Sequence, residues 1–405
     1  MISRRTLLGA GLLSALPVSA RAKPAKQLQL DVATFAAFGE QRAGSEPARR
    51  TAAWLIRRFR TLGYEAQLHP FPVTTLTEPW VRVATGGQKI AGFIQWLPPS
   101  ERWPESLTGP LIDLAKAQAK PGCLALVSQP APLSAYWPAS LDQAIAAAVG
   151  ARAIILAVDD PLGGLFAYNR DAALPRLPMP VIIVDKSGMT ALTSAAMRGE
   201  MATIRGAGVV QRAQALNCRA SLPGGGRKIV ISTPLTGWFR CGAERGAGIA
   251  VMLSLAQALR QTGRPIELVA TGAHEIGHLG MQQAIASGVA APKDVAIWCH
   301  LGASLGATAL DGTGQPPSVH FLMASQPEHI ALGTFADTLG LQRLPATRSA
   351  PGEAGDVIRG GFENVLAFTG VFPGFHTPGD DGRAIDFDRL DAYSRFLGSH
   401  LLTYQ

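Results

Sequence analysis

The chain has 405 residues, 47% of them hydrophobic and 16% charged, with a formal net charge of +8. This composition excludes a disordered polar chain and leaves room for two domains. The basic excess does not mark a nucleic-acid surface either, because its densest stretch, Arg49, Arg50, Arg57, Arg58 and Arg60, falls on one predicted helix as a solvated face.

The first residues, "MISRRTLLGAGLLSALPVSARA", set a basic pair before about a dozen apolar residues and end in Ala20-Arg21-Ala22, an A-x-A-like cleavage site. Residues 1–22 are therefore expected to be a signal peptide, and the adjacent Arg4 and Arg5 resemble a twin-arginine export signal. Residues 7–18 are too short to span a bilayer, so the expected location is the periplasm or the cell exterior, with no stable membrane insertion after cleavage. Loss of Arg4, Arg5 and Arg21 lowers the formal charge from +8 to +5. Cys123, Cys218, Cys241 and Cys299 are widely spaced and lack a C-x-x-C pair, so no disulfide is assigned.

Next, "RAGSEPARRTAAWLIRRFRTLGYEAQLHPFPV" reads as a Gly-Ser turn, a helix and a strand. Leu55, Phe59 and Leu62 recur at helical spacing, and Gly63 ends the helix. From about 85 to 208 the chain turns Pro-, Gly- and Ala-rich, with short apolar runs "GCLALVS", "ARAIILAV" and "MPVIIV" and a helical "SLDQAIAAAVGA". This texture predicts a small α/β or β-rich insert. After the loop "SLPGGGR", strands "KIVIST", "PIELVAT" and "DVAIWCHL" alternate with helices "GAGIAVMLSLAQALRQTG" and "LGMQQAIASG". Apolar strands separated by amphipathic helices predict an α/β fold, a mixed but mostly parallel sheet with helices on both faces. Ligands bind such sheets beyond the carboxyl ends of the strands.

"TGAHEIGHLGM" contains H-E-x-x-H at His274, Glu275 and His278. A zinc helix would need both histidines on one helical face. Gly272, Gly277 and Gly280 lie within nine residues and oppose a continuous helix. His274 and Glu275 are instead expected where a buried strand ends, with His278 opening the next helix.

Four segments, "RAGSEPARRTAAWLIRRFRTLGYEAQLHPF", "GAERGAG", "GAHEIGHLG" and "FHTPGDD", occur in the order typical of the co-catalytic zinc aminopeptidases and their glutaminyl-cyclase relatives. The chain resembles that metallopeptidase family over nearly its whole mature length. The resemblance implies a zinc-exopeptidase-like domain in two pieces, 28–84 and 209–405, around a protease-associated-like insert at 85–208.

The family's site maps onto this chain with losses. Its first-site histidine and the following aspartate fall on Pro234 and Thr236, neither able to serve in their place. The bridging aspartate falls on Glu244, the general-base glutamate on His274, the ligating glutamate on Glu275, the late aspartate on His300 and the last histidine on His376. The acid after it matches Asp380. The resemblance thus implies one zinc ion, held by Glu244, Glu275 and His376 and approached by His300, with His274 as the replacement base. Arg245 is expected to pair with a substrate carboxylate, or with Glu244 as a surface ion pair, and Asp380 to buttress His376 or cap a turn. His278 is left open among core, substrate-contact and ligand roles. The expected activity is hydrolysis of a peptide or small amide. The alternatives are a pseudopeptidase acting as a binding module and a cyclase-like acyltransferase.

Overall fold

A computed structural model describes the backbone of residues 18–103, 106–130, 138–159, 164–309, 318–325 and 332–404, and side chains from residue 25 except 130, 138 and 139. Most of the expected signal segment, residues 1–17, lies outside the described residues; helix α1 (Val18–Ala37) runs through the rest of it. Helix α2 (Glu46–Thr61) starts where Ser45 caps the Ala48 amide, with Pro47 in the first turn, and it buries Leu55 and Phe59.

Two long strands organise the molecule. Strands β1 (Glu65–Thr85) and β7 (Met201–Leu222) pair antiparallel from Glu65 opposite Ser221 to Ala84 opposite Thr203, with a register shift between Thr77 and Trp80. Their far end carries β2 (Gln88–Ile94), β3 (Ser106–Asp113), β4 (Leu124–Pro130), β5 (Ala153–Asp159) and β6 (Val181–Val184). The order β1-β2-β6-β5-β4-β3-β7, together with the direct β1–β7 pairing, closes this sheet on itself. Alternation of side chains along a strand then separates two small cores. Val83, Ile155, Ile182 and Ile204 pack with Leu192 of α4 (Lys186–Met197), whereas Ile154, Leu156 and Ile183 pack with Leu141 and Ala144 of α3 (Pro138–Ala147). The composition change read at 85 and 208 falls at or inside this ribbon, which continues unbroken into the second sheet region.

That region follows the order β7-β9-β8-β10-β13-β11-β12. Strands β8 (Lys228–Pro234), β9 (Ile266–Thr271), β10 (Val295–Leu301) and β13 (Val365–Val371) are mutually parallel, and β7 and β11 (Val319–Ala324) flank them antiparallel. Strand β12 (Gln342–Pro345) adds to β11 in parallel. Helices α1, α2, α5 (Ala247–Leu259) and α9 (Phe387–His400) bury Ile229, Ile231, Leu268 and Cys299 on one face, with α7 (Gly333–Thr338) at its edge. Helices α6 (Leu279–Ala286) and α8 (Glu353–Arg359) bury Val230, Val269 and Trp298 on the other. The fold is α/β with helices on both faces, as the alternating pattern predicts. The carboxyl ends of four parallel strands open on one side, where the sequence places its candidate site. All four cysteines are buried and unbridged. No described helix is long and apolar enough to cross a membrane.

Candidate active site

The loop after β8 presents Glu244 and Arg245. Cys241, in the left-handed region at φ 51°, opens a single π-helical turn, Gly242–Gly246, that feeds α5. The Asp380 carboxylate holds this turn by accepting the Ala243 and Glu244 amides at 2.6 and 2.9 Å, and the Asp380 carbonyl accepts the Gly242 amide. Asp380 is thus a cap for the Gly-rich loop, acting on Glu244 and not on His376. Burial, reinforced by the Glu244 charge and opposed by those amides, raises its carboxyl to about 7.

The loop after β9 carries the H-E-x-x-H letters, and it is not one helix. Ala273 is left-handed at φ 58°, His274–Ile276 form a 3-10 turn, Gly277 follows at φ 95° and His278 at φ 59°, and only then does α6 begin. Gly280 is demanded by packing: a Cβ there would lie 2.1 Å from the Gly272 carbonyl oxygen. Phe239, Cys241, Ala273, His278, Ser304 and His376 are left-handed non-glycine residues, all in the strand-end loops. Such conformations cost about 1–3 kcal/mol each and persist where the surrounding structure imposes them, a pattern concentrated at functional sites.

At the centre, the Arg245 guanidinium lies 2.6 Å from Glu244 Oε1, and both side chains are fully buried. Arg245 Nε donates to the Thr236 carbonyl at 3.0 Å. His376 Nε2 stands 3.2 Å from the same Glu244 oxygen, with its Nδ1 2.9 Å from the Ala167 carbonyl. Burial pushes the Glu244 carboxyl up, but Arg245 and His376 more than offset this and leave it below the ordinary value. Glu275 is turned to other partners. Its Oε1 accepts the Ala43 amide at 2.6 Å and its Oε2 the Thr236 hydroxyl at 2.8 Å, while burial raises its pKa.

Two donors here suit a metal. The 3.2 Å between Glu244 Oε1 and His376 Nε2 is the spacing of two ligands on one ion with bonds of about 2.0–2.2 Å, and a backbone carbonyl orients His376 as ligating imidazoles are oriented. The rest do not complete a site. Each Glu275 oxygen accepts from a donor, the Arg245 guanidinium already stands against Glu244 Oε1, and, among the described residues, although Glu244 Oε2 and His376 Nε2 make no hydrogen bond, no group of three or more His, Cys, Asp or Glu is disposed to hold a metal. As arranged, the chain does not fit the three-donor zinc centre that the resemblance implies. The reason is electrostatic: the cation facing Glu244 is already built into the chain.

The remaining histidines have partners too. His300 Nδ1 lies 2.9 Å from the Ser232 hydroxyl, which accepts from the Trp298 indole, and burial, with His278 and Arg245 nearby, lowers its pKa to about 3. His274 Nδ1 meets Glu353 Oε1 at 3.0 Å, and His278 Nδ1 meets Asp356 Oδ2 at 2.9 Å. Burial and the surrounding cations, Arg245 foremost, hold His274 well below the ordinary imidazole value. Glu353 is fully buried against the Thr271 hydroxyl and pushed up to about 8.

Sequence reasoning missed Glu353 and Asp356. Their only signal was an acid-x-x-acid-x-x-Arg spacing, Glu353, Asp356 and Arg359, on a short helix before an apolar strand. It also missed the insert's part. Segment 166–172 lines the site, the Arg170 amide donating to the Glu275 carbonyl, the Ala172 amide to Ile276, Asn169 accepting from the Trp238 indole, and Phe166 lying 5.5 Å from the His376 ring.

No family model matches the chain, and no curated protein matches it. Solved structures do match its fold. The peptidase M28 precursor of Shewanella amazonensis SB2B superposes with a TM-score of 0.71 at 16% identity, covering 95% of this chain and 96% of that one. BSAP, a zinc aminopeptidase from Bacillus subtilis, gives 0.69 at 19% identity over 94% of both chains. The aminopeptidase of Aneurinibacillus sp. strain AM-1 gives 0.59 at 18% identity over 94% of this chain and 93% of that one. The chain therefore has the zinc aminopeptidase fold along nearly its whole length.

Proposed function

We propose that this protein is a pseudopeptidase, an exported zinc aminopeptidase fold that binds a peptide or another small amide at the strand ends without hydrolysing it through a resident metal. One observation carries this reading: the carboxylate best placed to receive a catalytic dication, Glu244, is fully buried against the Arg245 guanidinium. A second supports it. Burial and Arg245 hold His274, at the expected position of a carboxylate base, well below the ordinary imidazole value, which makes it a weak proton acceptor. Export rests on the Arg4-Arg5 leader. The test is a panel of aminoacyl and acyl amides offered to chelator-treated and zinc-supplemented protein, with calorimetric binding of unlabelled peptides in parallel. Saturable binding without turnover in either state is expected. Zinc-dependent turnover that disappears in Glu244→Gln, or absence of peptide binding, would overturn it.

A metallohydrolase with one zinc ion at Glu244, Glu275 and His376, joined by His300, is the second reading. The ligand-like spacing of Glu244 and His376 favours it, and it requires Arg245 to leave Glu244. The zinc-dependent turnover named above is its signature.

A further inference from the structure

The centre of the site is closed, but its outer edge carries two imidazoles whose arrangement the proposed function does not use. His274 and His278 lie side by side, ring centroids 4.6 Å apart and planes inclined by 35°. Their side chains keep 11% and 25% exposure, whereas Glu244 and Arg245 keep 0% and 1%.

Both rings are oriented in the same way. Each Nδ1 faces a carboxylate, His274 that of Glu353 and His278 that of Asp356. These acids are three residues apart on α8, so they share one helical face. The carboxylates are themselves fixed, Glu353 by the Thr271 hydroxyl at 2.7 and 2.9 Å and Asp356 by Arg359 at 2.6 Å. With Nδ1 of each ring directed at one helix, both Nε2 atoms are directed away from it, and neither has a partner among the described residues. A carboxyl group behind Nδ1 is the arrangement found behind metal-ligating histidines, and at His278 the Asp356 carboxylate, by accepting from Nδ1, leaves the lone pair on Nε2.

We propose that His274 Nε2 and His278 Nε2 form a two-imidazole chelate for a borderline transition-metal dication such as Zn²⁺, Ni²⁺ or Cu²⁺, with water or a donor atom of the bound ligand completing the coordination. Metal–nitrogen bonds of about 2.0–2.1 Å need the two nitrogens roughly 3–4 Å apart, and the ring centroids lie 4.6 Å apart. The site is distinct from the inner constellation of Glu244, Glu275 and His376. It is also unlike a zinc helix, because the left-handed turn through Gly277 and His278, not a helical face, brings the rings together.

The test uses the full mature chain and the metal alone. Calorimetric titration with Ni²⁺ should show one site, and Cu²⁺ should give an electron paramagnetic spectrum with two coupled nitrogens. His278→Gln should weaken binding at least tenfold and remove one nitrogen. Asp356→Asn should weaken it about 10- to 100-fold while leaving both nitrogens in place. The double variant Glu244→Gln/Arg245→Met, which removes the inner carboxylate without stranding a buried charge, should change neither readout. Binding unaffected by His278→Gln, at unchanged circular dichroism, would overturn the proposal. So would binding abolished by Glu244→Gln/Arg245→Met at unchanged circular dichroism with both histidines present, a result that would instead place the ion in the inner site. Because the pseudopeptidase reading is tested by peptide binding and turnover, the two can fail separately.

Discussion

Replacing Arg245 with methionine should be among the most damaging single changes in this protein, and the damage should be reversible by a second change. The guanidinium is 2.6 Å from Glu244 Oε1 with both side chains buried. At an effective dielectric of about 20 the attraction is about 6 kcal/mol, set against a desolvation cost of several kcal/mol for each ion. The pair therefore contributes little net stability relative to neutral residues of the same shape. Removing one partner is different, since it strands the other charge at a cost of about 3–5 kcal/mol. Chemical denaturation followed by tryptophan fluorescence should show that loss in Arg245→Met, and the double variant Glu244→Gln/Arg245→Met should recover to within about 1–2 kcal/mol of the parent. The defect has a pH signature. The Glu244 carboxyl is lowered in the folded state, so its paired contribution is full above the unfolded value of about 4.3 and is lost as pH falls through the folded value. The penalty in Arg245→Met should accordingly shrink in acid. In a His278→Gln background, added zinc should stabilise Arg245→Met more than the parent, because the position of the missing cation is then open. A loss below about 1 kcal/mol in Arg245→Met, or a double variant that costs the sum of the singles, would refute the view that Arg245 is the resident cation.

Three further outcomes follow from the same geometry. Gly280→Ala should fail to fold or lose well over about 1–3 kcal/mol, because its Cβ would meet the Gly272 backbone and Asn217, neither of which can swing aside; soluble yield and thermal midpoint report it. Asp380→Ala should cost about 2–3 kcal/mol by freeing the Ala243 and Glu244 amides, and hydrogen exchange at those two amides should accelerate together, whereas exchange in α9 should not change. His320 is lowered to about 4 by burial and by Arg389, with its ring against the Ala307 carbonyl. Its contribution is present above about 6.5 and is lost as pH falls toward 4, a change on the order of 3 kcal/mol, so His320→Gln should flatten the acid limb of a stability–pH curve between those values.

The fold was legible because it is written in local pattern. The runs at 228–233, 265–271 and 294–301 became β8, β9 and β10 nearly residue for residue, since an apolar run bounded by glycine and polar residues has few places to go except a buried parallel strand. The glycines of 272–280 correctly argued against a continuous helix, and Gly280 shows why in distances. The direction of side chains within the site was not legible. Nothing in "GAERGAG" says that Arg245 turns inward onto Glu244, because the single π-helical turn that aims it depends on Asp380, 135 residues later. Glu353 and Asp356 stayed hidden for the same reason: their contacts with His274 and His278 join positions 78 or more residues apart, and nothing local to either segment announces them. The insert's segment 166–172 was invisible because backbone groups make its bonds to Glu275, Ile276 and His376, which carry no sequence signature, and its two side-chain contacts, from Phe166 and Asn169, stand in no motif.

Those inward and outward directions explain why the substitutions come as a set. A centre built for two dications needs several ionised carboxylates, and those carboxylates repel one another once the metals are gone. In this chain His274 and His300 are held below the ordinary imidazole value by burial and neighbouring cations, and Glu275 has its pKa raised as well. The carboxyl at this centre held below its ordinary value is Glu244, and it faces a single guanidinium. Reverting only one of these would be harmful. A carboxylate in place of His274 would put a second buried anion near a single arginine, whereas an arginine removed from 245 would leave Glu244 unbalanced. The buried groups of the inner site are therefore coupled, so that changing one alters the electrostatics of the others. His278, at the outer edge, is less bound by this constraint, because α8 supplies its own acid, Asp356, to hold the ring.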